Sequence, residues 1–175
     1  MIKNNEEKII LFKRFIKEKR IKYVFDSLKF NISDIDSFTF YLLEEISPNL
    51  SFDFKYSLEI ILKEAILNAF YHGNFNIDSK IKENDNGFDE FHNLVIERQK
   101  DIKYSSRKVY LEIIFKINKI IISIEDEGDG FDLSDLEINN YKNYGRGIKL
   151  IKVHSDKIKW NEKGNKITIE KYIHG

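Results

Sequence analysis

Two apolar runs near the middle of the chain limit the possible folds most strongly. In VYLEIIFKI, residues 109–117, every second residue from Val109 onward is apolar. This period of two is typical of a strand with one buried face. Asn118 and Lys119 predict a two-residue turn, after which IIISIED, residues 120–126, runs back as the second strand of a hairpin. The sequence therefore predicts an antiparallel sheet.

A helical pattern over residues 53–72 precedes this hairpin. Its apolar residues fall within roughly 100° of arc on a helix, which is the width of a stripe that faces a core. The stripe consists of Leu58, Ile61, Leu62, Ala65 and Ala69. Glu64, Asn68 and His72 follow one another at steps of four along one flank of that stripe. A solvated helix face would explain these polar residues, and so would a polar ligand bound beside the helix. The following Gly73 predicts the end of the helix.

The rest of the chain alternates between helical and extended patterns. Before the helix over 53–72, the sequence predicts a charged amphipathic helix over 4–20, a strand over 23–32, and a helix that is capped by Ser33, runs to about Ile46 and is stopped by Pro48. A polar insert over 75–106, which contains a short helix, separates the helix over 53–72 from the hairpin. After the hairpin, the sequence predicts a polar stretch over 132–144, a helix from Gly147 to about His154, and closing strands over 155–160 and 165–173 that are joined by a turn around Gly164. One layer of strands covered by helices is the simplest packing of these elements.

The 175 residues suffice for one domain, residues 23–175, preceded by a helical extension, residues 1–22. The 42% hydrophobic content is typical of a chain that folds. Lys+Arg and Asp+Glu both number 29, so overall attraction to nucleic acid is not indicated. The sequence has no cysteine, no apolar run long enough to span a membrane, and acids where a secretory signal would be basic. We expect a cytoplasmic protein that contacts neither membranes nor nucleic acid.

A glycine-containing acidic segment, IEDEGDGFD, follows the second hairpin strand directly. Asp126 ends the strand, and Gly128 and Gly130 follow it. A carboxylate here could accept a hydrogen bond from an exocyclic amino group, and glycines allow the backbone close to a flat ring or a positive φ. An acidic turn is the simpler alternative. A calcium loop is not supported, because its sixth position would be Phe131 rather than glycine.

A second glycine segment, YGRGIKLIK, opens the last predicted helix. Gly145 and Gly147 flank Arg146 at the helix start. The free N–H groups and positive dipole end of a helix N-terminus suit a phosphate, although many such segments are only turns. The segment is neither a Walker loop nor a dinucleotide fingerprint.

The order of these segments resembles the ATPase superfamily of histidine kinases, gyrase, ninety-kilodalton heat-shock chaperones and mismatch-repair ATPases. EAILNAFYHGN, DEGDGFD, GRGIKLIK and GNKITIEK are most similar to anti-sigma-factor serine/threonine kinases, from roughly Phe30 to the C-terminus. The resemblance implies a two-layer α+β sandwich, in which helices cover one face of a mixed, mainly antiparallel sheet. It also implies that residues 23–175 bind ATP and Mg²⁺, with 132–144 as the ATP lid.

The resemblance assigns roles to residues of the first two segments. Asn68 would coordinate Mg²⁺ together with the nucleotide phosphates. Glu64 would act as the general base toward the incoming hydroxyl group. Asp126 would bind the adenine amino group, while Gly128 and Gly130 would allow the ring to approach closely.

The later segments receive roles in the same way. Gly145, Arg146 and Gly147 would approach the phosphates, although Arg146 could equally be a solvent-facing residue of the lid. Asn165 stands where many relatives carry a threonine that helps to bind adenine, and we expect it to take over that contact. His72 belongs to the H-G-N pattern of the family, and we expect it to be structural.

The activity implied by the resemblance is ATP-dependent phosphorylation of a serine or threonine on an anti-sigma-factor antagonist, which would control a sigma factor. A homodimer is also implied. One alternative is an ATP-sensing binding module with little turnover. Another is the ATP-binding domain of a two-component signalling kinase, although none of the four histidines lies in the predicted N-terminal helix. A topoisomerase-like or chaperone-like ATPase would need a transducer domain, for which there is no room.

Overall fold

The computed structural model describes residues 19–46, 50–131 and 145–173. Within these ranges the chain forms five α-helices and five β-strands. In chain order they are β1 (Lys19–Asp26), α1 (Ile32–Ile46), α2 (Phe52–Asn68), α3 (Gly87–Lys100), α4 (Ile102–Ser105), β2 (Lys108–Phe115), β3 (Lys119–Asp126), α5 (Arg146–His154), β4 (Lys157–Trp160) and β5 (Lys166–Tyr172). None of the helices in these ranges is long and apolar enough to cross a membrane.

The strands form one five-stranded sheet in the order β1-β2-β3-β5-β4. The predicted hairpin is confirmed, because β2 and β3 pair side by side from Val109–Asp126 to Phe115–Ile120. The mixed sheet that we expected is corrected, because each pairing of the described strands is antiparallel. The fold is therefore α+β, with an antiparallel sheet.

One face of this sheet is buried and the other is polar. The buried face carries the alternating aliphatic residues that the sequence pattern predicts on β2 and β3, and it continues onto β5. Its fully buried members are Val109, Leu111, Ile113, Ile120, Ile122, Ile124 and Ile169. The opposite face carries ion pairs, such as Lys166 Nζ to Glu125 Oε2 at 3.0 Å and Lys119 Nζ to Glu170 Oε2 at 2.9 Å. The apolar residues of the helices pack on the first face and form one core.

The first strand begins earlier than predicted. Residues 19–22, which we assigned to the helical extension, belong to β1, and the strand ends at Asp26 rather than at residue 32. The basic residues of KRIKYVFD hide the alternation, in which Ile21, Tyr23 and Phe25 are the more buried members. The remainder of the predicted helix over 4–20, Pro48 and the predicted lid lie outside the described residues.

One predicted turn and one predicted helix cap are also corrected. The hairpin loop comprises residues 116–118 rather than Asn118 and Lys119, since Lys116 N–H donates to the Lys119 carbonyl at 2.9 Å. Ile117 is consequently 84% exposed. Helix α1 is capped by Asn31, whose Oδ1 accepts from the Ser33 N–H at 3.1 Å, so that Ser33 is not the cap. An asparagine side chain satisfies a free N–H of the first turn as well as serine does.

Helix α2 is the element that positions the site. Ser51 caps it, because the Ser51 Oγ accepts from the Phe54 N–H at 3.4 Å. The predicted apolar stripe is confirmed, since all five of its residues are buried. After Asn68 the helix widens into a π-helical turn, Ala69–Asn74. The predicted stop at Gly73 is therefore wrong, because Gly73 lies within this turn and the left-handed residue is Asn76, with φ 52°.

Candidate functional site

The polar flank of α2 meets the start of α5. Glu64 and Asn68 are half-buried there, whereas His72 is more exposed. A Cβ atom at Gly147 would stand 2.7 Å from Glu64 Oε2, which is closer than real Cβ contacts, and 3.1 Å from Asn68 Oδ1, which is tighter than most of them. The absence of a side chain at Gly147 thus lets the N-terminus of α5 approach both polar residues. The structure brings together two segments that are about eighty positions apart in the sequence.

The Asn68 amide is the unusual group in this contact. Its Nδ2 is buried and has no hydrogen-bond partner among the described residues. An unsatisfied buried donor of this kind costs about 1–3 kcal/mol, so native proteins rarely leave one without a reason. Rotation of the amide by half a turn would place the oxygen there instead. The site therefore offers an unused polar atom at the junction of α2 and α5.

Asp126 contacts the same helical segment further along the chain. It ends β3 on the buried face of the sheet, and a Cβ atom at Gly73 would overlap its carboxylate. Gly73 follows Asn68 by five residues, which is a rise of roughly 7 Å or less along the axis. Asp126 Oδ1 accepts from the Gly128 N–H at 2.8 Å. Asn68 and the glycine that Asp126 contacts thus lie within two turns of the same helical segment.

Burial dominates the electrostatics of Asp126. It raises the pKa of the carboxyl group from 3.8 to about 6, because the charged form loses hydration. The Gly128 N–H and the charges of Lys163 and Arg107 act in the opposite direction. A carboxylate that remains ionised at neutral pH in spite of this desolvation is a strong hydrogen-bond acceptor for a bound donor.

Asn74 fixes the turn after Asp126. It is fully buried, and its Nδ2 donates to Ser27 Oγ at 2.8 Å while its Oδ1 accepts from the Glu127 N–H at 2.9 Å. Its carbonyl oxygen accepts from Arg107 Nη1 at 2.9 Å. The sequence indicates Asn74 only through the H-G-N pattern, and it gives no sign of Ser27 or Arg107, because these lie far away in the chain.

Asn165 has a structural role at the end of β3. Its Nδ2 donates to the Asp126 carbonyl at 2.6 Å, and its Oδ1 accepts from Asn161 Nδ2 at 2.9 Å. Both ends of the amide are therefore engaged in holding the end of β3, and a direct contact with adenine stays a prediction. Gly130 has φ +79° and packs on the Lys163 carbonyl, so it joins the acidic segment to the closing turn.

The start of α5 presents the other predicted phosphate-facing residues. Gly145 precedes the helix, and Gly145 and Arg146 are exposed, so that the first turn of the helix is accessible. A Cβ atom at Gly145 would lie 3.5 Å from Ser79 Oγ, which is an ordinary van der Waals contact. The insert that follows α2 therefore reaches the glycine segment, a proximity that the sequence does not predict.

Lys82 of the insert packs against the helical segment that carries the candidate site, a contact that the sequence does not predict. Its Nζ lies 3.8 Å from the ring centroid of Phe91 and 5.4 Å from that of Tyr71. Burial lowers the pKa of Lys82, and the charge of Glu64 raises it in partial compensation. His72, in contrast, points its Nδ1 at the Ile77 carbonyl at 2.6 Å, which supports its structural reading.

A separate depression of about 600 Å³ lies along the outer side of α3. It is lined by Asn86, Asp89, Glu90, Asn93, Leu94 and Glu97. None of these is a predicted site residue, and three carboxylates would repel a phosphate. This depression therefore does not mark the predicted nucleotide site.

No protein-family model matches this chain, and no curated protein matches it either. The functional argument thus depends on the site itself. The described residues contain no group of three or more histidine, aspartate and glutamate side chains that could hold a metal ion. A magnesium ion at Asn68 could take further ligands from phosphates and water, which Mg²⁺ accepts readily.

Proposed function

We propose that this protein binds ATP with Mg²⁺ between α2, the end of β3 and the start of α5, on the fold of the histidine kinase and gyrase-like ATPases. The observation that carries the proposal is the contact of Gly147 with Glu64 and Asn68, where the buried Asn68 Nδ2 has no partner among the described residues. The antiparallel sheet with one helix-covered face supports the proposed fold.

Each residue has a chemical task in this proposal. Asp126 accepts a hydrogen bond from the adenine amino group, and its orientation is fixed by the Gly128 N–H and by Asn165. Asn68 supplies an amide oxygen to Mg²⁺, and the ion supplies charge neutralisation at the phosphates when bound. The accessible N-terminus of α5 donates N–H groups toward the phosphates.

The proposed reaction is transfer of the terminal phosphoryl group of ATP to a serine or threonine of a partner protein, an anti-sigma-factor antagonist, with control of a sigma factor as the outcome. Glu64 lies beside Asn68 and accepts the proton of the attacking hydroxyl group. The hydroxyl oxygen forms the new bond to phosphorus, and ADP leaves. Positioning and charge neutralisation provide most of the rate enhancement in this chemistry.

Calorimetric titration of ATP, with and without Mg²⁺, tests the binding step. Wild type should bind ATP more tightly with Mg²⁺, and Asn68→Ala should lose most of this magnesium dependence. Asn93→Ala, an exposed asparagine on α3, serves as the matched control. If wild type binds no ATP, or if both variants behave alike, the proposed site is wrong.

Incubation with labelled ATP and a candidate antagonist protein tests the transfer step. Glu64→Gln should keep ATP binding and lose label transfer. Binding without any transfer by wild type would favour the ATP-sensing module. Label retained on a histidine of the protein itself would favour the two-component kinase domain.

A further inference from the structure

The first turn of the insert is fixed against the proposed site. Ser79–Glu83 forms a 3-10 helix that is capped by Asp78, whose Oδ1 accepts from the Lys80 N–H at 2.9 Å. On its other side, Gly87 packs so closely that a Cβ atom there would overlap the backbone of Ile81. This turn therefore has a defined position, and its Ser79 end lies near Gly145, as described above.

Lys82 projects from this turn over the rings of Phe91 and Tyr71. The side chain is half-buried, and its ammonium group makes no hydrogen bond or ion pair with any residue that the structure describes. Its partners are the ring faces of Phe91 and Tyr71, which attract a cation without occupying its N–H donors. An ammonium group carries three such donors, and removing them from water is unfavourable unless an acceptor replaces the water.

The surroundings of Lys82 indicate which kind of hydrogen-bond acceptor suits its ammonium group. Tyr71, beneath the Lys82 ammonium, follows Asn68 by three residues and Glu64 by seven, so these three side chains share one side of the helical segment. The charge of Glu64 also raises the pKa of Lys82. The Glu64 carboxylate is also beside Asn68 and Gly147, where the proposed function places Mg²⁺ and the outer phosphates. A half-desolvated cation at that point suits an oxyanion with several acceptor atoms.

We propose that Lys82 binds the terminal phosphate of the nucleotide and makes the site selective for nucleoside triphosphates over diphosphates. This inference rests on the proposed function and deepens it. The insert is then part of the nucleotide site and supplies a phosphate-binding cation in addition to Arg146 of the second glycine segment. The contacts of the ammonium group with the Phe91 and Tyr71 rings limit the positions that the flexible lysine side chain can take. This lowers the entropic cost of holding it at the phosphate.

Affinities for Mg·ATP and Mg·ADP, measured by titration calorimetry on folded protein, test this inference. Lys82→Met keeps the length and much of the ring contact while it removes the charge. It should weaken Mg·ATP binding by about 10-fold or more and change Mg·ADP binding by less than about twofold, since a hydrogen bond to a charged group is worth about 1.5–3 kcal/mol. Lys80→Met, an exposed lysine of the same turn, should change neither affinity.

Lys82→Arg provides a second variant in case the methionine variant does not fold, and it should keep most of the preference for ATP. Equal effects of Lys82→Met on both nucleotides, or no effect on either, would overturn the inference while leaving the proposed function intact. A wild-type protein that binds neither nucleotide would reject the proposed function and the inference together.

Discussion

The buried carboxyl group of Asp126 should reduce the stability of the folded protein at neutral pH. Its pKa is raised from 3.8 to about 6, so the folded state binds this proton more tightly than the unfolded chain does. The contribution of this bound proton to the free energy of unfolding is fully present below pH 4 and is lost as the pH rises through about 6. At higher pH the full cost of burying the charge is incurred.

The size of this loss in the free energy of unfolding follows from the pKa shift of Asp126. A tenfold change in a proton-dissociation constant is worth about 1.4 kcal/mol, so the shift from 3.8 to about 6 corresponds to at most about 3 kcal/mol at pH 8. At pH 5 about half of this cost is already present. Asp126→Asn removes the charge but keeps an oxygen that can accept from the Gly128 N–H. The variant should therefore be more stable than wild type, increasingly so from pH 5 to pH 8.

Urea denaturation at pH 5, 6, 7 and 8 measures this difference in the free energy of unfolding. Asp129→Asn is the matched control, because Asp129 lies in the same segment with 80% of its side chain exposed. The control should follow the wild-type curve. A difference between Asp126→Asn and wild type that stays constant across these pH values would refute the argument, as would a destabilised variant at pH 8.

The remaining predictions concern packing around the site. Gly147→Ala should weaken Mg·ATP binding, because its Cβ would stand 2.7 Å from Glu64 Oε2, whereas Gly145→Ala should be tolerated, and calorimetric titration of both variants separates these outcomes. Equal losses would mean that the contact is not specific. Asn74→Ala should lower the free energy of unfolding by about 2–4 kcal/mol, since it leaves the buried Ser27 hydroxyl unsatisfied and releases the Glu127 N–H. Urea denaturation tests this, and a loss below about 0.5 kcal/mol, the range of neutral surface changes, would contradict it.

Local periodicity was sufficient for most of the fold. The alternation in β2 and β3 and the apolar stripe of α2 predict the buried residues correctly, because each pattern reflects a neighbouring surface in the same element. The start of β1 was missed because its outward positions carry lysine and arginine. No local pattern predicts the π-helical turn at Ala69–Asn74, in which Gly73 packs against the Asp126 carboxylate from a distant part of the chain.

The site could be predicted as a set of residue types but not as a network. Glu64, Asn68 and Gly147 are recognisable from their spacing and chemistry, and the structure brings them into contact. The supporting hydrogen bonds of Asn165 and the position of Lys82 involve tertiary contacts, for which a single sequence carries no signal.

The contact of Gly73 with Asp126 has a consequence for mutational tolerance. A single added methyl group at Gly73, in the π-helical turn that follows α2, would displace the Asp126 carboxylate, even though Gly73 has no side chain of its own. On the proposed function, a saturation-mutagenesis map scored by nucleotide affinity should therefore show strong intolerance at Gly73 as well as at Asp126. Substitutions that abolish the proposed function should occur at supporting glycines such as Gly73 as readily as at the polar side chains of the site.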